Sequence, residues 1–330
     1  MHPQFSCLLV IVACSALLSA NPEGYDPLKV PDVKIVSHVF EVKDTKRERT
    51  LPVRVYLPVS TQPAPVILFS HGLGGSRDNN PYLGNHWAKR GYVVVFVQHP
   101  GSDEKVWKDV PILQRMAAMK QAASLDNFLA RAKDIPVVID ALARWNAEAA
   151  HPLKGCLDLG RLGMSGHSFG ANTTQAVAGQ AFVREHVSFV ESRIKAAVMM
   201  SPSPPALGDP AEAFAPIKIP CLLMTGTQDD SPIGNTRAAD RLKVFPHLQQ
   251  APAWQVVFDK AIHMSFGERD LLGNSQGDAR YHRAILALTT AVWDATLKAD
   301  AGAKAWLNGG GAKSVLVAED RWEMNPKARE

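Results

Sequence analysis

Residues 161–176 have the sequence RLGMSGHSFGANTTQA, a short apolar run, then a glycine-flanked serine, then residues that can begin a helix. The stretch Gly166-His167-Ser168-Phe169-Gly170 has the pattern G-x-S-x-G. A serine on a sharp turn between a strand and a helix needs small neighbours, because the backbone passes close on both sides. The turn exposes the hydroxyl above the sheet, and the helix start directs free N–H groups toward developing negative charge. The pattern predicts Ser168 as a nucleophile.

Short apolar runs bounded by glycine, proline or charged turns lie on both sides of this motif. The predicted strands are residues 33–42, 50–57, 65–70, 92–97, 161–165, 195–200, 220–225 and 254–258. Predicted helices cover 126–149, 236–245 and 281–298 and also begin at residue 168. Continuous apolar runs are typical of strands buried on both faces of a parallel sheet. The alternation predicts an α/β fold whose ligands bind at the carboxyl ends of the strands.

Two segments within this pattern carry further expectations. Residues 107–124 are rich in Met and Ala and predict a loop-plus-helix insertion near the site, either as a lid or as packing. Pro136 lies inside the periodic stretch 126–149, so the helix either starts there or is kinked there.

The candidate base is a histidine downstream of the serine. A serine hydroxyl needs a base that accepts its proton, and a third group holds that base in the right tautomer. Serines on this kind of turn are followed by the acid and then by the histidine. His263 is favoured because it lies in a loop directly after a predicted strand. His247 precedes its strand, whereas His186 and His282 lie in helical patterns.

The candidate acid lies in the loop after the preceding strand, Gly226-Thr227-Gln228-Asp229-Asp230-Ser231-Pro232. Asp229 and Asp230 can both fill the role, and the other one would be a turn or helix-capping residue. Asp259 and Asp270 are weaker alternatives by position.

Backbone N–H groups are the expected oxyanion donors, because acyl transfer places negative charge on the carbonyl oxygen. The amide of Phe169, which follows the nucleophile, should be one donor. The glycine-rich loop His71-Gly72-Leu73-Gly74-Gly75 follows a predicted strand and should supply the other, at Leu73. His71 itself is expected to be a structural hydrogen-bonding residue of this loop.

The overall composition is ordinary for a soluble globular protein, with 46% apolar and 21% charged residues among 330. The net charge of +4 is mild and there is no basic stripe, so no nucleic-acid partner is expected. No paired His or Cys ligand spacing is present, so neither a metal nor an organic cofactor is expected.

The N-terminal segment differs from the rest of the chain. Residues 5–20 are almost unbroken apolar sequence that ends in small residues. The run is short for a membrane span, which needs roughly 20 apolar residues, and it predicts a signal peptide over 1–20. Ile11-Val12-Ala13-Cys14 also resembles a lipobox, whose cysteine would anchor the protein to a membrane through a lipid. The expected location is periplasmic, secreted or lipid-anchored at the cell envelope; the alternative is a buried N-terminal helix.

The remaining chain predicts one domain. Residues 21–32 predict a linker, 33–299 the catalytic domain, and 300–330 a peripheral tail. Cys156 and Cys221 can pair in an oxidising compartment or serve as small buried apolar residues.

Four motifs carry a resemblance to a known family: Phe69-Ser70-His71-Gly72-Leu73-Gly74-Gly75, Gly91-Tyr92-Val93-Val94, His99-Pro100-Gly101 and Gly166-His167-Ser168-Phe169-Gly170-Ala171. Over roughly residues 50–295, their order and spacing resemble the platelet-activating-factor acetylhydrolase and dienelactone-hydrolase-like group of the α/β-hydrolase superfamily. The sequence resembles bacterial cutinase-like polyester hydrolases more distantly.

The resemblance implies an eight-stranded, mostly parallel α/β-hydrolase sheet. It implies Ser168, Asp229 and His263 as a catalytic triad, with Leu73 and Phe169 as oxyanion donors. Dienelactone hydrolases use a cysteine nucleophile where this chain has serine, which argues against dienelactone as the substrate. Residues 101–125 have no counterpart in the resemblance.

These patterns predict a serine hydrolase that cleaves small-molecule or lipid-like carboxylic esters. The alternatives are a polyester hydrolase and an amide or peptide hydrolase, because the same triad serves all three. A surface protein that keeps the fold without catalysis is the remaining alternative.

Overall fold

The computed structural model describes residues 24–182, 188–268 and 278–329. The predicted signal peptide, with its lipobox, lies outside the described residues. The strands are β1 Val36–Asp44, β2 Arg49–Leu57, β3 Ala64–Ser70, β4 Val93–Val97, β5 Leu157–His167, β6 Ile194–Met200, β7 Cys221–Gln228, β8 Ala253–Ile262 and β9 Arg321–Met324. They form one 9-stranded sheet in the order β1-β2-β4-β3-β5-β6-β7-β8-β9.

The sheet is parallel from β4 to β8 and antiparallel at its two edges. Every residue of β3 and β4 is buried. Both faces of these strands are therefore covered, which explains why their sequences are continuously apolar rather than alternating. The predicted mostly parallel α/β sheet is confirmed.

Helices cover both faces of the sheet. They are α1 Pro81–Lys89, α2 Lys105–Lys108, α3 Ile112–Ala122, α4 Leu125–Ala147, α5 Phe169–Ala178, α6 Pro210–Phe214, α7 Ala238–Arg241, α8 Ala279–Leu297, α9 Ala301–Asn308 and α10 Pro326–Arg329. Successive strand residues point to opposite faces. Ile67 of β3 packs in one apolar cluster with α1 and α8, whereas Leu68 packs in a second cluster with α4.

The long helix α4 runs through Pro136 without a break. Ser124 caps its start by accepting a hydrogen bond from the amide of Asn127. Ile135, Val138 and other residues of its inner face are fully buried. Burial of this face stabilises the helix enough to accommodate a proline that lacks the N–H group.

The two ends of the described chain pack against the domain, contrary to the predicted linker and peripheral tail. Tyr25 donates a hydrogen bond to buried Asp294 at 2.9 Å, and Arg90 donates to the carbonyl of Lys29 at 2.7 Å. At the other end β9 pairs with β8, and α9 buries Trp306 in the core. These short segments are held by contacts with residues distant in sequence, so their own sequences give little indication of their structure. The expected eight-stranded sheet therefore gains a ninth, antiparallel strand.

The two cysteines outside the N-terminal segment are free. Cys221 is buried beside apolar residues such as Phe214, and burial raises the pKa of its thiol to about 12. Of the two alternatives, a disulfide partner or a small buried apolar residue, Cys221 fits the second. No helix in the described ranges is long and apolar enough to cross a membrane.

Candidate active site

The serine turn joins β5 to α5. Ser168 has φ 57° and ψ −117°, which is a strained backbone conformation for a residue other than glycine. A Cβ atom on Gly166 would lie 2.3 Å from the carbonyl oxygen of Gly170, and one on Gly170 would lie 1.8 Å from that of Ser70. Both glycines are therefore required by close backbone approach, as the motif predicts.

Three side chains from separate loops meet at this turn. Ser168 Oγ lies 2.8 Å from Nε2 of His263, and Nδ1 of His263 lies 2.6 Å from Oδ1 of Asp229. His263 begins a short 3₁₀ helix directly after β8, and Asp229 follows β7. The carboxyl ends of parallel strands lie along one edge of the sheet, which brings these distant residues together.

The carboxylate of Asp229 is fully buried and has several polar partners. Thr225 donates to its Oδ2 at 2.8 Å, and Nε of Arg241 lies 3.1 Å from its Oδ1. Burial raises the pKa of Asp229, but its hydrogen bond with His263 and the charge of Arg241 outweigh burial and hold the pKa below its ordinary value. The ionised carboxylate accepts a hydrogen bond from Nδ1–H of His263, which leaves Nε2 unprotonated and facing the hydroxyl of Ser168.

The neighbouring aspartate has a different role. Asp230 is exposed, and its carboxylate accepts hydrogen bonds from the amide of Ala238 and the side chain of Arg237, each at 2.9 Å. Asp230 therefore makes the turn and helix-capping contacts that the sequence predicts for the aspartate that does not bind the histidine. Asp259 lies beside Lys260 at 3.8 Å.

The other candidates also lie elsewhere. His282 lies against the carbonyl oxygen of Gly267 and stacks on the ring of Tyr82. His247 ends a short 3₁₀ helix before β8. Asp270 and His186 are outside the described residues.

Two backbone amides beside Ser168 have no hydrogen-bond acceptor among the described residues. Neither the amide of Leu73 nor that of Phe169 donates to another residue of the described chain, whereas Gly74 donates to the carbonyl of Ser102 at 2.9 Å. Leu73 and Phe169 line the same cleft as Ser168. The two expected oxyanion donors therefore border the same cleft as the candidate nucleophile.

The cleft has a volume of about 820 Å³, and one wall carries large apolar side chains together with Lys108 and Arg115. Trp107, Ile112, Met116 and Met119, all from α2 and α3, line it. The indole N–H of Trp107 donates to the carbonyl of Gly74 at 2.7 Å, which ties this wall to the glycine-rich loop. The predicted insertion near the site is thus a cleft wall, and the cleft has the size and lining typical of a small-ligand site.

A second Ser–His–Asp chain, which sequence reasoning missed, lies beneath the first. Ser70 Oγ is 2.8 Å from Nε2 of His99, and Nδ1 of His99 is 2.9 Å from Oδ2 of Asp134. All three residues are fully buried, and none lines the cleft. The only available signal was that Ser70 and His99 end or follow neighbouring predicted strands. The hydroxyl of Ser70 is therefore closed off from the cleft that Ser168 lines.

Arg241 is another residue without a sequence signal. It lies in α7, 12 residues beyond Asp229, and also donates to the main-chain carbonyl of Asp229 at 2.7 Å. No motif marks it, because only the path of the chain after β7 returns it to the acid. Among the described residues, no group of 3 or more His, Cys, Asp or Glu side chains could hold a metal ion.

Comparison with known proteins gives one family. The profile of the family described as alpha/beta hydrolase fold matches residues 65–220, which extend from β3 through the serine turn to the start of β7. No curated protein matches the sequence significantly. The matched segment contains Ser168 and Leu73 but ends before Asp229 and His263.

Proposed function

We propose that this chain, which has the α/β-hydrolase fold, is a serine hydrolase that cleaves carboxylic esters through an acyl-enzyme. One observation carries the proposal: the Ser168–His263–Asp229 hydrogen-bond chain opens onto a cleft with apolar lining, beside two backbone amides that donate to no described residue. The fold supports hydrolase activity in general, and the side chains of the cleft support the finer assignment.

In the proposed reaction Ser168 Oγ attacks the ester carbonyl while Nε2 of His263 accepts its proton. The amides of Leu73 and Phe169 stabilise the oxyanion of the tetrahedral intermediate. His263 then protonates the leaving alcohol, and an acyl-enzyme remains on Ser168. Water, deprotonated by His263, repeats the attack and releases the acid. Buried Asp229 stabilises the imidazolium in both halves of the cycle.

Small or lipid-like acyl esters are the proposed substrates. The wall formed by Trp107, Met116 and Met119 can bury acyl methylene groups, each worth about 0.8 kcal/mol when fully removed from water. We also propose export to the cell envelope or beyond, supported by the apolar residues 5–20 and the lipobox-like Ile11-Val12-Ala13-Cys14.

The test is hydrolysis of p-nitrophenyl esters from acetyl to palmitoyl, beside the p-nitroanilides of the same acids. We expect ester hydrolysis with the highest kcat/KM at acyl chains longer than acetyl, because the apolar wall favours them. Pretreatment with a fluorophosphonate should label the protein once and abolish this activity. Faster cleavage of anilides would replace the ester assignment with an amide hydrolase. If no substrate is cleaved and no label is incorporated, the proposal is wrong.

Two neighbouring residues of α3 give a matched test of the acyl wall. Ile112 lines the cleft, whereas Leu113 is 95% exposed and does not. We expect Ile112→Ser to lower kcat/KM on octanoate by about 5- to 10-fold relative to acetate, since lost apolar contact is worth about 1 kcal/mol or more. Leu113→Ser should leave the ratio unchanged. Equal ratios in both variants would place the acyl chain elsewhere in the cleft.

A further inference from the structure

We propose that Arg131, on α4, is a positioning residue that holds both oxyanion donors, Leu73 and Phe169, in place for the reaction. This inference rests on the hydrolase function proposed above. Arg131 is fully buried and does not line the cleft. It therefore acts through the residues that it contacts.

One side of the guanidinium binds the glycine-rich loop and its neighbour. Nη2 of Arg131 donates to the main-chain carbonyl of His71 and to Oγ of Ser70, the latter at 3.0 Å. Nη1 donates to Oγ of Ser102 at 3.0 Å, and the carbonyl of Ser102 accepts from the amide of Gly74. His71 and Gly74, which flank the Gly72-Leu73 pair, are thus tied to one cation, His71 directly and Gly74 through Ser102.

The other side of the guanidinium binds the first turn of α5. Nε of Arg131 donates to Oγ1 of Thr173 at 3.0 Å, and that hydroxyl donates to the carbonyl of Phe169 at 3.0 Å. The Cζ atom of Arg131 lies 4.7 Å from the centre of the Phe169 ring, a distance that fits a cation–π contact. The second donor is therefore connected to the same cation as the first.

The buried Ser70–His99–Asp134 chain makes the hydroxyl oxygen of Ser70 a hydrogen-bond acceptor for Arg131. Burial lowers the pKa of His99 to about 4, so its imidazole is neutral at neutral pH. Its Nδ1–H donates to the Asp134 carboxylate, and its Nε2 accepts a hydrogen bond from the hydroxyl of Ser70. The lone pairs of Ser70 Oγ then face the Nη2 donor. A planar guanidinium with donors in a fixed fork can satisfy these acceptors together, which an ammonium group cannot.

The direction of the Leu73 amide follows from the same loop. Nδ1–H of His71 donates to the carbonyl of Gly72 at 2.6 Å, and Nε2 of His71 accepts from the amide of His99 at 3.1 Å. The amide of Gly75 also donates to the carbonyl of Gly72, at 3.1 Å. The Gly72 carbonyl and the Leu73 N–H belong to one planar trans peptide and point in opposite directions. Holding the carbonyl inside the loop therefore directs the N–H outward.

The experiment compares Arg131→Met, Arg131→Lys and Arg144→Met in the full-length protein. Arg144 is exposed on the same helix and serves as the control. We would measure kcat and KM on the best ester, the Ki of an alkyl trifluoromethyl ketone, and the midpoint of thermal unfolding. The ketone forms a tetrahedral adduct with the serine, and the oxyanion of this adduct needs both donors. The Ki of the ketone therefore reports the alignment of the two donors separately from ground-state binding of the substrate.

We expect Arg131→Met to lower kcat by about 10- to 100-fold, somewhat less than the loss of a whole oxyanion donor. KM should change by less than about 3-fold, and Ki should rise in parallel with the loss of kcat/KM. Arg131→Lys should recover part of kcat because it restores charge without the fork. Arg144→Met should resemble the wild type. Wild-type kcat and Ki in a folded Arg131→Met protein would overturn the proposal, as would a change in KM alone.

Ser70→Ala decides the question if Arg131→Met does not fold. This variant removes only the hydroxyl between His99 and Arg131, and we expect kcat to fall by about 2- to 10-fold at unchanged KM. An unchanged kcat would overturn the positioning role. Fluorophosphonate labelling separates this result from the parent proposal: a wild type that neither labels nor hydrolyses esters removes the hydrolase function itself, whereas a labelled, active wild type with unaffected variants removes only the role of Arg131.

Discussion

Replacing Ser168 with alanine is expected to lower kcat on p-nitrophenyl esters by about 10⁶-fold, because no acyl-enzyme can then form. The effect should be on kcat, since the cleft wall and the oxyanion amides remain in place. A small residual rate above that of buffer is expected from the oxyanion donors alone. The measurement is steady-state kinetics together with fluorophosphonate labelling, which should disappear completely.

Ser70→Ala is the matched control for this experiment, because Ser70 belongs to the other Ser–His–Asp chain. Its hydroxyl is fully buried, so the variant should keep its fluorophosphonate label and lose only the roughly 2- to 10-fold in kcat expected from weaker positioning, far less than Ser168→Ala. If Ser70→Ala lost the label and Ser168→Ala retained it, the buried chain would be the nucleophilic one. That outcome would require a path to Ser70 that the cleft does not provide.

Replacing Asp229 with asparagine should lower kcat by about 10⁴-fold. The carboxylate accepts a hydrogen bond from Nδ1–H of His263 at 2.6 Å, which keeps the proton on Nδ1 and leaves Nε2 unprotonated toward Ser168. The amide of asparagine can donate to Nδ1 instead and favour the opposite tautomer, in which Nε2 carries the proton and cannot act as a base. KM should change little, because Asp229 does not line the cleft.

Asp230→Asn is the control, with the same substitution one residue away. Its side chain is half exposed and pairs with exposed Arg237, so kcat should remain within about 2-fold of the wild type. Comparable losses in the two variants would contradict the assignment of Asp229. A normal rate for Asp229→Asn would remove it from the proposed triad.

The adjacent aspartates show the limit of local sequence. Both follow the same strand, and both are typical turn residues, so the pattern leaves them equivalent. The backbone after β7 buries Asp229 against His263 and Arg241 and turns Asp230 toward Arg237 and solvent. The family resemblance favours Asp229, and the tertiary structure supplies the physical difference between the two, because burial depends on segments far along the chain.

The ends of the chain show the same limit. Residues 321–324 are too short to indicate a strand by themselves, yet they pair with β8. Tyr25 lies within the proline-rich stretch 21–32, which predicts a linker, yet it binds buried Asp294. In both cases the stabilising partner is distant in sequence, so local propensity and periodicity carry no trace of it.

The sequence alone determined the α/β architecture and the serine turn, because these depend on local physics. Strands buried on both faces need continuous apolar runs, and a serine on a strand-to-helix turn needs Gly166 and Gly170 to avoid backbone clashes. The tertiary structure decided which acid reaches His263 and which buried cation lies beneath Leu73 and Phe169. Arg131 and Asp229 stand in segments whose local patterns show only a helix and a turn. Their partners come from other strands, and the fold alone brings those partners within hydrogen-bonding distance.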